Sequence, residues 1–305
     1  MKKKTECQAD SGRRDFLGLS LAMAGAALAG SSPALADDPP ALVPLETLFP
    51  GFRQQQIQTS GATINLVTAG KGPPLLLTHG FPQSLVMWHR VAPALIDRFT
   101  VVAPDLRGYG DSSKPPTDEN HLTYSKRANG NDLVEVMRAL GHERFQVCAH
   151  DRGARVSHRM ALDHPERIER LMLIDILPTL KLYEETDADF AKTYWHWYFL
   201  SQPAPFPETI LAPHADFFLA LMARHGRPGT FTPEAAAYYR RTIADPAILH
   251  AVCEDYRAAI SIDLEHDRAD LDKRIECPLH ILWGGHNPVY RKYDVIDVWQ
   301  QRARQ

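Results

Sequence analysis

Asp151 lies where a predicted strand gives way to a predicted helix, a position that suits a nucleophile. The apolar run Phe145–Cys148 is typical of a short buried strand, and Val156–His164 is typical of a helix. Between them, Gly153 is expected to supply the tight turn of a nucleophile elbow, where serine is more usual. A carboxylate there would displace a leaving group from saturated carbon and form an ester that water must cleave. The competing interpretation is an ordinary loop, because Asp and Gly are frequent loop residues.

A second loop is placed to assist that chemistry. The motif His79-Gly80-Phe81-Pro82 follows the apolar run Leu75–Thr78, and the main-chain N–H of Phe81 is expected to join an oxyanion hole. The second donor would be the N–H of Arg152, the residue after the nucleophile. A third loop, Asp105–Ser112, carries charged residues that are expected to hold the loop together rather than to react.

Short apolar runs bounded by Gly, Pro and Asp predict a mostly parallel sheet that is buried on both faces. These runs are Ile64–Val67, Leu75–Thr78, Val101–Ala103, Phe145–Cys148, Leu171–Ile174 and Leu279–Trp283. Between two of them, Asn129–Leu140 repeats its apolar residues with helical spacing. Alternating strands and helices predict a doubly wound α/β fold, assigned to residues 37–180 and 258–305.

Residues 181–257 interrupt this alternation with an aromatic, helical stretch whose segments are separated by prolines. The segment is interpreted as a helical cap inserted between two strands, which would exclude water from a site and supply specificity groups from above. Most of its aromatic side chains are expected simply to pack the cap helices against each other.

Residues 1–36 are expected to be an export signal rather than part of the fold. Basic residues, the apolar stretch Leu19–Gly30 and the small-residue site Ala34-Leu35-Ala36 follow each other in the order typical of a secretory signal. The pair Arg13-Arg14 resembles a twin-arginine signal, which predicts a periplasmic protein whose mature chain starts near Asp37. An uncleaved membrane anchor is the alternative, although the apolar stretch is short and rich in glycine.

Composition limits the other classes of function. The chain has 305 residues, of which 44% are hydrophobic, and this suffices for one large core. Its net charge of −3 gives no indication of nucleic-acid binding, and no C-x-x-C or His-rich spacing suggests a metal, so no cofactor is expected. After signal cleavage three cysteines remain, and an oxidising compartment would permit a disulfide between two of them: Cys148, Cys253 and Cys277.

The motifs together resemble one family over about residues 45–305. They are His79-Gly80-Phe81-Pro82-Gln83, Asp105–Ser112, His150–Arg155 and Tyr194-Trp195-His196-Trp197. They resemble the haloacetate (fluoroacetate) dehalogenases of the α/β-hydrolase superfamily. Related hydrolases with an aspartate nucleophile usually carry tryptophan after that aspartate, whereas this chain has Arg152 there and a second arginine at Arg155. The resemblance implies an α/β-hydrolase fold, a small haloacid as substrate and, since such relatives are often dimers, a possible homodimer.

The two arginines have a physical rationale in this reaction. Arg155 lies one helical turn beyond Asp151, so the guanidinium groups of Arg152 and Arg155 are expected to reach the mouth of the same site. They would grip the substrate carboxylate and orient its α-carbon for in-line attack. The resemblance also assigns a halide pocket to His196, Trp197 and Tyr256, whose N–H and O–H groups would stabilise the departing ion. Salt-bridged arginines on a helix surface are the alternative interpretation.

The resemblance assigns Asp175, which follows the strand Leu171–Ile174, as the carboxylate that orients a catalytic histidine. In the family that histidine follows a further strand, and this chain reaches Gln305 without such a strand or a Cys-Gly-His-like turn. His286 lies near a strand end but one loop too early. We therefore expect a sequence that lacks its last strand and helix, in which Asp151 is alkylated but its ester is cleaved slowly.

Two other functions remain open at this point. An epoxide hydrolase would use the same aspartyl ester, with Tyr194, Tyr198 or Tyr256 directed at the epoxide oxygen. An exported protein that binds a small carboxylate without turnover is the non-enzymatic alternative. A serine esterase is disfavoured because the sequence contains no G-x-S-x-G motif.

Overall fold

The computed structural model describes residues 41–223, 229–287 and 289–304. The predicted export signal, residues 1–36, lies outside the described residues. The strands are β1 (Arg53–Gln58), β2 (Thr63–Ala69), β3 (Pro74–Thr78), β4 (Thr100–Pro104), β5 (Phe145–His150), β6 (Ile168–Ile174) and β7 (Leu279–Leu282). All six predicted apolar runs fall on strands, so the sheet prediction is confirmed.

Thirteen α-helices are described, several of them a single turn. They are α1 (Leu45–Leu48), α2 (Lys126–Ala139), α3 (Asp151–Asp163), α4 (Thr179–Glu184), α5 (Ala188–Thr193), α6 (Trp195–Leu200), α7 (Phe206–Leu211), α8 (Ala215–Ala223), α9 (Pro233–Ala244), α10 (Pro246–Ile260), α11 (Ile262–Ala269), α12 (Val289–Lys292) and α13 (Val295–Gln300). The predicted helix over 129–140 corresponds to α2. Among the residues described, no helix is long and apolar enough to cross a bilayer.

The strands form one sheet in the order β1-β2-β4-β3-β5-β6-β7. The first two pairings are antiparallel, and the pairings from β4 through β3, β5 and β6 to β7 are parallel. Strand β1 was not predicted, because its residues are mostly polar and exposed at the sheet edge. The carboxyl ends of β3, β5, β6 and β7 lie at the same edge of the sheet, which brings their following loops together.

Each face of the sheet packs against its own hydrophobic core. Alternate strand residues point to opposite faces, so Leu76 and Val102 join one buried cluster whereas Leu75 and Val101 join the other. The first cluster includes residues of α2 and α3, and the second includes residues of α1 and α9. This two-sided covering is the doubly wound α/β architecture that the sequence predicted.

Helices α4 to α11 lie in the chain between β6 and β7. Helices α5 to α9 fall within residues 181–257, the region interpreted as a cap, whereas α4 and α10 extend beyond it and α11 follows it. Aromatic side chains hold part of it together: Phe190 stacks on Tyr194 with ring centroids 4.9 Å apart, and Trp197 meets Phe190 edge-on at 5.7 Å. Among the described residues, Cys148, Cys253 and Cys277 are free thiols, so no disulfide joins two of them in this structure.

His158 predicts a specific pH dependence of stability. This α3 residue is 4% exposed and meets Trp299 edge-on with ring centroids 5.2 Å apart. Burial, and then the positive charge of Arg302, lower the pKa of His158 to about 3 from 6.5. Between pH 6.5 and 3 the unfolded chain therefore binds a proton at His158 that the folded chain does not. The contribution of neutral His158 to the free energy of unfolding is fully present above pH 6.5 and declines as the pH falls towards 3.

We therefore expect His158→Phe, which retains an aromatic ring against Trp299, to flatten the decline in the free energy of unfolding between pH 6.5 and 5. Urea denaturation of both proteins across this range would measure it. Identical slopes for wild type and variant would contradict the assignment. Burial raises the pKa of Asp267 to about 6, so this carboxyl also affects how the free energy of unfolding depends on pH. The effect is the same in both proteins and cancels in the comparison.

Candidate active site

Asp151 occupies the junction between β5 and α3, as the sequence predicted. Its backbone adopts a left-handed conformation with φ of 45°, and its Oδ1 accepts a hydrogen bond from the main-chain N–H of Phe81 at 2.9 Å. The left-handed region is uncommon for residues other than glycine, although Asp tolerates it better than most. The sharp turn thus fixes the nucleophile candidate at the carboxyl edge of the sheet.

The prediction that Gly153 makes this turn is wrong. Gly153 lies inside α3, and its N–H donates to the carbonyl oxygen of His79 at 2.9 Å. A Cβ atom at Gly153 would lie only 2.3 Å from that same oxygen. The glycine is required because the helix passes so close to the end of β3, and Asp151 itself carries the left-handed backbone.

The loop after β3 is built to present the Phe81 N–H to Asp151. His79 Nδ1 contacts the Gly80 carbonyl at 3.1 Å, and its Nε2 accepts from the N–H of Leu106 at 2.9 Å, which assigns the proton to Nδ1. Fixing the Gly80 carbonyl also fixes the Phe81 N–H, because the two groups belong to one planar peptide unit. A Cβ at Gly80 would lie 2.5 Å from Asp151 Oδ1, so the loop needs glycine there.

The charges around Asp151 keep it ionised. Burial acts to raise the pKa of its carboxyl, but His150, Arg155, Arg152 and the Phe81 N–H together hold that pKa below its usual value. An ionised carboxylate in a buried site is the form that can act as a nucleophile. The second predicted oxyanion donor, the Arg152 N–H, belongs to the first turn of α3, where N–H groups lack an intrahelical acceptor.

Arg155 lines the cavity beside Asp151 and is held in place by neutral groups. The residue is 4% exposed, and its guanidinium carbon lies 4.5 Å from the ring centroid of Trp197. One terminal nitrogen donates to the Leu177 carbonyl at 3.1 Å and to the Thr179 hydroxyl at 3.0 Å. Its Nε is buried and has no hydrogen-bond partner within the described part of the chain.

Arg152 is held differently, by an ion pair. It is 1% exposed, its Nε donates to Asp255 Oδ2 at 2.6 Å, and its guanidinium carbon lies 4.1 Å from the ring centroid of Tyr256. The side chain therefore lies behind Tyr256 rather than on the open wall of the cavity. Its Nη1 is buried and lacks a hydrogen-bond partner in the ranges that the structure covers. Neither arginine is a surface residue, which disfavours the salt-bridged surface interpretation.

A cavity of about 930 Å³ opens at the carboxyl edge of the sheet under the cap. Seven of the predicted site residues line it: Phe81, Asp151, Arg155, Asp175, His196, Trp197 and Tyr256. The His196 and Tyr256 rings lie 6.4 Å apart, and the Tyr256 ring meets Phe81 edge-on at 5.6 Å. The cap thus contributes His196, Trp197 and Tyr256 to a cavity whose floor holds Asp151.

Asp175 lies at the end of β6 and borders the same cavity. Its backbone is also left-handed, with φ of 60°, and its Oδ1 accepts from the Gly284 N–H at 3.0 Å. His286 lines this side of the cavity and is exposed. Within the residues described here, no histidine hydrogen-bonds to the Asp175 carboxylate; Gly284 occupies one of its oxygens.

Four polar residues that line the cavity were given no role from the sequence: Gln83, His150, Thr193 and Asn287. His150 ends β5 immediately before Asp151, so its position next to the nucleophile was the available signal. Asn287 donates to the Tyr194 hydroxyl at 3.2 Å and gave no signal in the sequence. No group of three or more metal-ligating side chains is found among the described residues.

Comparison with known proteins shows the family to which the chain belongs. Residues 73–305 match the family model for the α/β hydrolase fold. The chain belongs to the α/β-hydrolase fold family. It is 46% identical to a fluoroacetate dehalogenase from Burkholderia sp, over 84% of this chain and 85% of that protein. The predicted resemblance to the haloacetate dehalogenases is therefore confirmed.

Two further relatives show the range of activities near this chain. A soluble epoxide hydrolase from Corynebacterium sp. (strain C12) is 32% identical over 81% of this chain and 85% of its own length. A solved structure from Nostoc sp PCC 7120, described as an α/β hydrolase, is 52% identical and superposes with a TM-score of 0.81, covering 83% of this chain and 87% of that one. The predicted fold class is confirmed, and the chain is similar both to a fluoroacetate dehalogenase and to an epoxide hydrolase.

Proposed function

We propose that this protein catalyses hydrolytic dehalogenation of short 2-haloacids, converting a haloacetate to glycolate and halide. One observation carries the proposal: Arg155 lines the cavity beside an ionised Asp151, and its buried Nε lacks a hydrogen-bond partner in the described residues. A buried donor without a partner is costly. The carboxylate of a small acid would satisfy Arg155 Nε and bring its α-carbon to Asp151, and the positive charge of Arg152 behind Tyr256 would add to the attraction.

The first step follows from the position of Asp151. Its Oδ1 is held by the Phe81 N–H, which leaves Oδ2 to attack the α-carbon in line with the halogen. The new C–O bond forms as the carbon–halogen bond breaks, and the halide leaves with the bonding electron pair. His196, Trp197 and Tyr256 line the cavity with N–H and O–H groups that would stabilise that charge. This step needs no base.

The second step requires a base. Water attacks the carbonyl carbon of the ester, its proton passes to the base, and glycolate leaves as the Asp151 carboxylate is regenerated. The Phe81 N–H would stabilise the oxyanion that forms in this step. Asp175 meets Gly284 rather than an imidazole in the described residues, so we propose that ester hydrolysis is slow in this chain. Lack of general-base assistance costs roughly 10²–10⁴-fold in rate.

The kinetics of halide release test this account of the two steps. On mixing the chain with excess chloroacetate, we expect a burst of about one halide per active site followed by a much slower phase. Rapid-quench sampling with ion chromatography would resolve both phases. His286→Gln is expected to leave the slow phase unchanged, because His286 is not hydrogen-bonded to Asp175. Linear release over many turnovers, without a burst or an accumulated ester, would show that another base completes the cycle.

Epoxide hydrolysis is the second candidate, favoured by the relative with that activity and by two tyrosines at the cavity. Tyr194 and Tyr256 line it, whereas the Tyr198 hydroxyl contacts the Thr186 hydroxyl at 2.6 Å and is not among the lining residues. Parallel assays with chloroacetate, fluoroacetate and styrene oxide separate the candidates. Diol formation without halide release would favour an epoxide hydrolase. Saturable haloacetate binding without either product would favour a binding protein.

A further inference from the structure

Arg152 is part of a buried cluster of charges behind Tyr256. Its Nε donates to Asp255 Oδ2 at 2.6 Å, and its Nη2 donates to the Asp255 main-chain carbonyl at 2.7 Å. Arg152 belongs to α3 and Asp255 to α10, so the contact joins the core to the cap region. Two of the three guanidinium nitrogens are thereby committed to one residue, and Nη1 is the donor left over.

Asp255 is itself fully engaged. Its Oδ1 accepts from Lys126 Nζ at 2.5 Å, and its Oδ2 also accepts from the Tyr109 hydroxyl at 3.2 Å. Burial acts to raise the pKa of Asp255, but the positive charges of Arg152 and Lys126 bring it to about 2. The carboxylate is therefore ionised, and partners on both oxygens prevent it from rotating away from Arg152.

Lys126, the first residue of α2, is 3% exposed and fixed from two sides. Besides its bond to Asp255, its Nζ lies 3.3 Å from Asp263 Oδ2, and its main-chain N–H donates to Asp263 Oδ1 at 2.8 Å. The lysine offsets the negative charge of Asp255. Without it, Asp255 would neutralise Arg152 alone, and less of the arginine's positive charge would act on a bound anion.

We propose that Asp255 and Lys126 are positioning residues that make the site selective for anionic substrates, by fixing the Arg152 guanidinium so that its positive charge acts on the substrate carboxylate from behind Tyr256. The inference rests on the proposed dehalogenation and adds to it the residues that set carboxylate recognition. Neither residue touches the reacting atoms; both act through Arg152. A structural ion pair alone would stabilise the fold but would not distinguish a charged substrate from a neutral one.

The test compares chloroacetate with chloroacetamide, a neutral analogue with the same carbon–chlorine bond, on the full chain. The rate of the halide burst is measured against substrate concentration for wild type, Lys126→Met, Lys126→Arg and Asp255→Asn. We expect Lys126→Met and Asp255→Asn to raise the half-saturating chloroacetate concentration about tenfold or more, because less positive charge then attracts the bound anion. The chloroacetamide burst should change by less than about twofold, since that substrate offers no anion to Arg152. Lys126→Arg should restore most of the chloroacetate affinity.

Glu254→Gln is the matched control. Glu254 is also a buried carboxylate on α10, but its oxygens contact His121 at 2.7 Å and Arg257 at 2.8 Å instead of Arg152. It should leave the ratio between the two substrates unchanged. Equal losses with both substrates, or no loss with either, would overturn the inference while leaving the dehalogenation intact. A wild-type chain that releases no halide from chloroacetate would instead contradict the proposed function, and the inference with it.

Discussion

Replacing Asp151 with asparagine should reduce halide release from chloroacetate on the order of 10⁴-fold or more, the scale observed when a member of a covalent catalytic unit is removed. The amide has nearly the size of the carboxylate, and its oxygen can still accept from the Phe81 N–H. It lacks the negative charge that drives displacement of a halide from saturated carbon. The variant therefore separates nucleophilicity from packing, and the measurement is halide released per active site over time.

The control for this variant is Asp216→Asn. Asp216 is an exposed cap residue paired with Arg240 at 2.6 Å, and it is not among the residues that line the cavity. It should release halide at the wild-type rate. Halide release by Asp151→Asn within about tenfold of wild type would mean that Asp151 is not the nucleophile, because loss of an essential covalent nucleophile costs far more.

Replacing Arg155 with glutamine should lower the second-order rate constant of chloroacetate alkylation by about 10²-fold, since a hydrogen bond between charged groups contributes roughly 1.5–3 kcal/mol. The same change should leave chloroacetamide nearly unaffected, because no anion is bound there. The chloroacetate rate constant of Arg155→Lys should fall between those of wild type and Arg155→Gln. Lysine keeps the positive charge but loses the planar fork and the contact over Trp197 at 4.5 Å. Burst kinetics with both substrates measure the discrimination.

A surface arginine provides the comparison. Arg240→Gln removes a cation from the cap, where its partner Asp216 is exposed, and should change neither substrate's rate constant. If Arg155→Gln slows both substrates equally, its role is to support Trp197 rather than to bind a carboxylate. That result would remove the hydrogen-bond donor on which the proposed function rests.

The central strands and the nucleophile position could be predicted from the sequence because both depend on local patterns. Apolar runs such as Leu75–Thr78 are buried on both faces of the sheet, so nearly every residue carries the signal. The edge strand Arg53–Gln58 has no such pattern, because its side chains mostly face solvent and its backbone bonds carry the pairing. The amino-acid composition of this segment does not indicate a strand, because the strand is stabilised by its backbone hydrogen bonds to β2.

Many residues of the site could be predicted from the sequence, but the contacts between their side chains could not. The sequence placed Arg152 and Arg155 together, yet the partner that separates their roles is Asp255, which lies far along the chain from Arg152. Likewise, the close approach of α3 to His79 explains Gly153, and nothing near Gly153 in the sequence indicates it. Contacts between distant segments depend on how the cap and the core pack, which local patterns do not encode.

The most direct test of the account is the mass of the intact chain, rapidly quenched after mixing with chloroacetate, followed by peptide mapping. The account predicts the addition of one carboxymethyl group to the peptide that contains Asp151, with no such addition in Asp151→Asn. Halide release from a wild-type chain whose mass stays unchanged at every quench time would contradict it, because an ester on Asp151 that is cleaved slowly must accumulate.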